Sequence, residues 1–260
     1  MIVNLVFVDI KRCMKSLLVA AFLLFSTYIL SLYMTNSFIY DWTSNPGTLN
    51  LYLFATDFSY YNVVNLIGPI FPAIAITWTL GTDIHSEVAN SIISRTGFKT
   101  FAISRFISTI IISLFLTVVS HTTLFALFFI FDPSPSTKIW YIDYLYQFKD
   151  LYNRSMLNYA LVVFLNTMLY FTSYAILSLG VSILASNRYI VMCIPMIFYY
   201  VSTHYYNVLS YTLLFFEAIP SNSLVIYTGN IITQLRDHMI VALVGTCLYI
   251  VGLRRIMKNN

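Results

Sequence analysis

Residues 106–131 read FISTIIISLFLTVVSHTTLFALFFIF and contain no Asp, Glu, Lys or Arg. A helix needs only ~20 apolar residues to cross the hydrocarbon core, so this stretch is long enough to span a bilayer. A barrel strand would show about ten residues of alternating polarity, and no such alternation is visible here. Helices and closed barrels are the two structures that satisfy their own backbone hydrogen bonds in lipid. The stretch therefore decides for an all-α integral membrane protein.

Working outward, further uncharged runs occupy Ser16–Thr35, Phe58–Thr82, Ser155–Asn187, Tyr189–Phe216 and His238–Leu253. With the first stretch they predict six transmembrane helices. The runs at Ser155 and Tyr189 exceed one span, so part of each is tilted or interfacial. The last run is short, which puts Arg236 and Asp237 at the outer headgroups with the arginine stem snorkelling. Of the 260 residues, 59% are hydrophobic and 9% charged. A soluble domain carries about a quarter charged residues, so residues 1–260 read as a single transmembrane domain without a nucleotide-binding domain. The first run is longer than the core of a signal peptide and is expected to stay as an anchor.

Charge sets the orientation. With the N-terminus inside, the inner segments hold Lys11, Arg12, Lys15, Arg95, Lys99, Arg105, Arg188, Arg254, Arg255 and Lys258, and the outer segments only Lys138, Lys149, Arg154 and Arg236. Basic residues near span ends concentrate on the cytoplasmic side, so both termini are expected to be cytoplasmic. The net charge of +4 then reads as topology and attraction to anionic membrane lipid, with no nucleic-acid partner. Cys13, Cys193 and Cys247 avoid the outer loops, and no disulfide framework is implied.

Residues 2–15 are apolar with Asn4, Lys11 and Lys15 on one face, which predicts an N-terminal interfacial helix on the inner leaflet that turns into the first span. The simpler alternative is an early start of the first span. Trp140, Tyr144, Phe148 and Tyr152 recur four apart and suggest an outer helix at the headgroup boundary. Between Asn207 and Arg236 the apolar chain is broken by Glu217, Pro220-Ser221-Asn222-Ser223 and Gly229-Asn230, which predicts a re-entrant outer hairpin before the last helix.

One inner loop has the pattern of a working part. Residues 83–105 read DIHSEVANSIISRTGFKTFAISR. Ile84, Val88 and Ile92 recur four apart on one face of a short helix, Asp83, Glu87 and Arg95 flank them with charge, and Gly97 marks a stop. An exposed apolar ridge of this kind either rests on lipid or meets a partner. The inner amphipathic helix, the six spans, this charged helical loop after the second span and the broken segment before the sixth together resemble a type-2 ATP-binding-cassette exporter permease of the six-helix bacterial type. Glu87, Ser94-Arg95 and Arg105 lie where that family has its cytoplasmic coupling region. The resemblance implies a subunit of a bacterial cytoplasmic membrane exporter. It further implies a separate ATPase partner that holds ATP and Mg, and a second permease copy or paralogue, forming a homo- or heterodimer. In that picture Asp83, Ile84, Glu87, Val88, Ile92 and Arg95 form the ATPase-coupling loop.

The chain itself shows no ATP site. Gly97-Phe98-Lys99-Thr100 lacks the lysine directly after glycine and the glycine five residues earlier that a P-loop requires. Neither G-x-S-x-G nor H-E-x-x-H occurs, and the four histidines form no metal set in sequence, so no catalytic residue, cofactor or metal is expected in this chain. Thr109, Ser113, Thr117 and His121 recur four apart as a polar stripe, open to two readings: helix packing, or a pathway or dimer seam. Asn158, Asn166 and Ser173 form a second such stripe. A secondary transporter or channel is the alternative function and would show charge within spans or an inverted repeat; an intramembrane enzyme with a distributed site is the third. The uncharged runs favour an amphipathic or hydrophobic cargo, such as a peptide, lipid or drug.

The topology has a direct check. Cysteines introduced at Thr48 and Asn260 are expected to label from opposite sides of the membrane, and labelling from the same side rejects the six-span arrangement.

Overall fold

The computed structural model describes residues 1–36, 47–57, 63–76, 80, 83, 87–136, 149–204 and 231–259. Every element among these residues is helical. In chain order they are α1 (Ile2–Asn36), α2 (Thr48–Thr56), α3 (Val63–Ile67), α4 (Ile70–Ile76), α5 (Glu87–Thr96), α6 (Phe98–Phe131), α7 (Lys149–Arg154), α8 (Met156–Leu184), α9 (Arg188–His204) and α10 (Ile231–Asn259).

Four helices are long and apolar enough to cross a membrane: Ile2–Met34, Phe98–Phe131, Met156–Leu184 and Gln234–Ile256. Their polarity is inverted relative to a water-soluble protein. Leu157, Leu161, Leu165 and Leu169 form an exposed ridge on α8, and Leu235, Met239 and Leu243 do so on α10, while Ser108, Thr109, Ser113, Thr117, Thr167 and Ser178 are buried. Large apolar side chains facing outward over small polar ones is stable where the surroundings are lipid. The chain is thus an all-helical, multi-pass membrane protein.

The directions of the long helices follow from their contacts. Asp9 meets Arg105 and Tyr28 meets His121, so α1 and α6 run parallel. Asn166 meets His238 and Leu177 approaches Gly245, so α8 and α10 also run parallel. Ser113 meets Thr172 and His121 meets Phe164, which makes α6 and α8 antiparallel. Tyr249 near the end of α10 donates to the Ala102 carbonyl near the start of α6, so both chain ends lie at one end of the bundle.

The α8–α10 seam depends on glycine. A Cβ on Gly180 would fall 2.3 Å from the Gly245 carbonyl oxygen, and one on Gly245 would fall 2.5 Å from the Leu177 nitrogen. Two backbones in van der Waals contact leave no room for a side chain.

Several sequence expectations change at this level. α1 is one continuous helix of 35 residues, so no turn separates an interfacial segment from the first span. Nothing from Ile2 to Asn36 is Gly or Pro; Asn4, Lys11 and Lys15 are exposed, while Asp9 and Arg12 on the first turns are held by groups of the bundle. The second uncharged run is broken at Gly68-Pro69 into α3 and α4. Pro69 has no N–H for the Asn65 carbonyl, and the Tyr170 hydroxyl donates to that oxygen instead at 3.0 Å. Ser16 likewise donates to the Ala75 carbonyl at 3.0 Å. Buried irregular backbone is tolerated because neighbouring helices complete its hydrogen bonds.

The described helix in the fifth run, α9, has 17 residues with Pro195 inside it. The final helix begins before the uncharged run: Arg236 and Asp237 are within α10, paired at 3.1 Å with Asp237 fully buried. Tyr152 is also fully buried, against Tyr159, so its side chain faces the bundle. The remaining members of that aromatic face, and the expected re-entrant hairpin up to residue 230, lie outside the described residues.

On the opposite end of the bundle from the chain ends, α2 is capped from another segment. Ser136 Oγ accepts from the Leu49 N–H at 2.9 Å, and the Asp132 carboxylate accepts from the Gly47 N–H at 2.8 Å. Hydrogen bonds from the Ser134 hydroxyl and then from Gly47 hold Asp132 below the usual carboxylate range. The cap fixes α2, which is buried along nearly its whole length against α1, α6 and α8.

Replacing Gly245 by leucine is expected to lower the thermal stability of the purified chain by at least ~1–3 kcal/mol through overpacking. Leu243→Ala, on the exposed face of the same helix, is expected to stay within ~0.5 kcal/mol. Equal melting temperatures for the two variants would refute the seam.

Candidate coupling site and the polar core behind it

The loop helix α5 has an apolar and a polar side, with Ala89 buried, Ile92 and Ile93 half-buried, and Val88, Ser91, Ser94 and Arg95 exposed. The buried set follows the 3.6-residue period and rests α5 on α6. Val88 and Arg95, seven residues apart, share the outward face. Ile92 is turned partly toward α6, so the outward ridge is narrower than the four-residue repeat of Ile84, Val88 and Ile92 suggested. Ile84 lies outside the described residues, and Glu87 is the first residue of α5.

Gly97 joins α5 to α6 at φ +83°, in the left-handed region where a Cβ is strained. Its N–H closes α5 on the Ile93 carbonyl at 2.8 Å, and its carbonyl accepts from Phe101 N–H at 3.1 Å, opening α6. The two helices thus meet at one sharp corner. The sequence reading ended the loop at Arg105, but α6 starts at Phe98, which carries Arg105 two turns into a helix.

Asp83, at the base of the loop, is buried in an ion network. Its carboxylate accepts two bonds from the Arg12 guanidinium, at 2.6 and 2.8 Å, and one from Arg105 at 2.9 Å. Arg105 also donates to Asp9 at 2.6 Å, and the Ser108 hydroxyl donates to the other Asp9 oxygen at 3.0 Å. The Arg105 side chain is 1% exposed and its guanidinium carbon lies 5.1 Å from the centre of the Phe101 ring. Two carboxylates against two guanidinium groups leave the network formally neutral, the condition for holding charge away from water. It ties the loop base to α1 and α6 at the end of the bundle that holds both chain termini.

Sequence reasoning used Asp9, Arg12 and Arg105 for orientation alone and missed this network. The available signal was local: Asp9 and Arg12 stand three apart on one helix face, as do Arg105 and Ser108.

The polar stripe of α6 is interior. Thr109, Ser113 and Thr117 are fully buried and His121 nearly so. Thr109 and Thr117 donate to carbonyls of their own helix, while Ser113 bridges to Thr172 on α8 at 3.1 Å. His121 is clasped between helices, with Nε2 2.9 Å from the Tyr28 hydroxyl and Nδ1 2.6 Å from the Tyr52 hydroxyl. Each ring nitrogen faces a hydroxyl, which can donate or accept, so either tautomer is satisfied. All four are buried within the chain, where Ser113 meets α8 and His121 meets α1, α2 and α8. Of the second stripe, Asn166 accepts from His238 Nε2 at 3.1 Å, Ser173 is buried on its own carbonyl ladder, and Asn158 is exposed. Among the described residues no group of three or more His, Cys, Asp or Glu could hold a metal ion.

No family model matches this chain, and no curated protein or solved structure matches it either.

The histidine clasp predicts coupled losses. His121→Phe keeps a ring but removes both cross-helix bonds, each worth ~0.5–1.5 kcal/mol, and is expected to lower stability measurably. Tyr52→Phe is expected to add little in that background although it destabilises the wild type, because the two side chains share one interaction. Full additivity in the double-mutant cycle would contradict the clasp.

Proposed function

We propose that this chain is the membrane-spanning permease subunit of an ATP-binding-cassette exporter, crossing the membrane six times with both termini in the cytoplasm. A separate ATPase subunit would bind ATP and Mg and drive two permeases between inward-open and outward-open states. The cargo would be amphipathic or hydrophobic. The observation that carries this reading is α5, an amphipathic helix with Val88 and Arg95 facing outward, packed on α6 through Ala89 and joined to it at the Gly97 corner, with Asp83 of the ion network four residues before it. A coupling element needs an exposed recognition face and contact with a spanning helix, and α5 has both. The parallel pairs α1 with α6 and α8 with α10 support six crossings, since each pair needs an intervening return through the membrane. The shared end of the bundle carries Lys11, Arg12, Lys15, Arg254 and Arg255, which supports a cytoplasmic location for it.

A second reading draws on one specific observation. Asp9 and Arg105 place charge inside helices that are long enough to span, a feature of secondary transporters. Their mutual pairing at the end of the bundle, where α5 attaches, favours a mechanical role over an ion pathway.

Burying an aliphatic side chain against a partner contributes roughly 1.5–3 kcal/mol, and Val88→Asp removes that gain and inserts a charge. The expected outcome is normal insertion with loss of ATPase co-purification and of export. Full export by Val88→Asp, or no ATPase bound to the wild type, would favour the secondary transporter or a channel.

A further inference from the structure

We infer that Asp83 is the releasable carboxylate of the ion network and Asp9 the fixed one, so that the loop carrying α5 can unfasten from the bundle without stranding a charge inside it.

The two carboxylates differ in what their departure leaves behind. Asp9 is on α1, deep in the contact with α6, and it accepts from Arg105 at 2.6 Å and from Ser108 at 3.0 Å. Without it, Arg105 would depend for its charge on Asp83 alone. Asp83 takes one bond from Arg105 and two from Arg12. If Asp83 withdraws, Arg105 keeps Asp9 and the sealed pair stays neutral. Arg12 then loses its partner, but its side chain is already 38% exposed against 1% for Arg105, so water can solvate it.

Arg105 gives one bond to each carboxylate, and among the described residues its buried Nε has no acceptor, so Asp9 is needed to keep its charge compensated when Asp83 leaves. Asp83 is four residues before the first residue of α5 in sequence, so chain connectivity ties its release to the helix with the exposed Val88–Arg95 face. The arm that opens contains the exposed Arg12, so it is the arm that salt can screen. This inference concerns the free chain and holds for any partner of α5.

The test uses the full chain in lipid nanodiscs, with hydrogen exchange over residues 88–96 and thermal unfolding as separate readouts. Asp83→Asn is expected to accelerate exchange in α5 about tenfold while moving the unfolding temperature little, because local opening and global stability are then decoupled. Asp9→Asn is expected to lower the unfolding temperature sharply or to prevent accumulation of folded protein. In the wild type, raising salt is expected to accelerate α5 exchange, and Arg12→Gln to abolish that salt response. The inference is overturned if Asp83→Asn destabilises the whole chain as much as Asp9→Asn, if α5 exchange is unchanged in Asp83→Asn, or if the salt response survives in Arg12→Gln. Failure of an ATPase to co-purify would count against the permease assignment and leave this result intact.

Discussion

A guanidinium group cannot be kept out of water without carboxylates beside it, and Arg105 places that demand at the point where three segments meet. Its charge requires Asp9 from α1 and Asp83 from the loop base, and Asp83 in turn attracts Arg12. The first turns of α1, the start of α6 and the approach to α5 are therefore fixed by one electrostatic condition. Removing one partner of a buried pair typically costs ~3–5 kcal/mol, whereas an exposed pair contributes ~0–1 kcal/mol. The Arg12–Asp83 pair lies between these limits, with Asp83 buried and Arg12 38% exposed, so water and salt reach the network from the Arg12 side.

The rest of the bundle is held by less directional means. Between α8 and α10, glycine lets the backbones touch, and dispersion over that close surface supplies the attraction that lipid cannot. Between α1, α2 and α6, the attraction comes from His121 and two tyrosine hydroxyls. The tyrosines serve the irregular backbone as well, since Tyr170 replaces the donor that Pro69 lacks. An interior of hydroxyls with the imidazoles of His121 and His238 gives specific contacts at low desolvation cost. Charge is reserved for the end of the bundle where the loop attaches and for Asp57 and Asp237, which are buried where the uncharged runs stop.

Much of the architecture was legible in the sequence because lipid imposes a length rule. The runs at Ser16, Phe106 and His238 each fall within a long helix that begins before the run, and the run at Ser155 encloses its helix. Extension was not legible for a physical reason: Arg105 and Asp237 end an uncharged run but not a helix, because a partner inside the protein satisfies them. The partner of Arg105 is 96 residues away in sequence, beyond any local periodicity. The outward face of α5 was read from its largest apolar residues, Val88 and Ile92, while its register on α6 is set by Ala89, too small to stand out in a hydropathy pattern. The four-residue repeat of Thr109, Ser113, Thr117 and His121 was visible; that it turns inward against three helices of the same chain was not, because a stripe gives a face without giving its neighbour.

The geometry of the loop links these observations to motion. α5 is joined to α6 through Gly97 and rests on it through Ala89, Ile92 and Ile93, while Asp83, four residues before α5, is held by ion pairs. A push on the Val88–Arg95 face therefore acts first on α6, against which α5 packs. Because α6 carries His121, which holds α1 and α2 together, rotation of α6 about its own axis would strain that clasp and the Ser113–Thr172 contact with α8 before it strained the glycine seam between α8 and α10. The bundle is in this sense two parts, α1 with α2 and α6, and α8 with α10. They meet where Ser113 bonds to Thr172 and where His121 lies edge-on against Phe164, so relative rotation of the two parts acts first on these contacts.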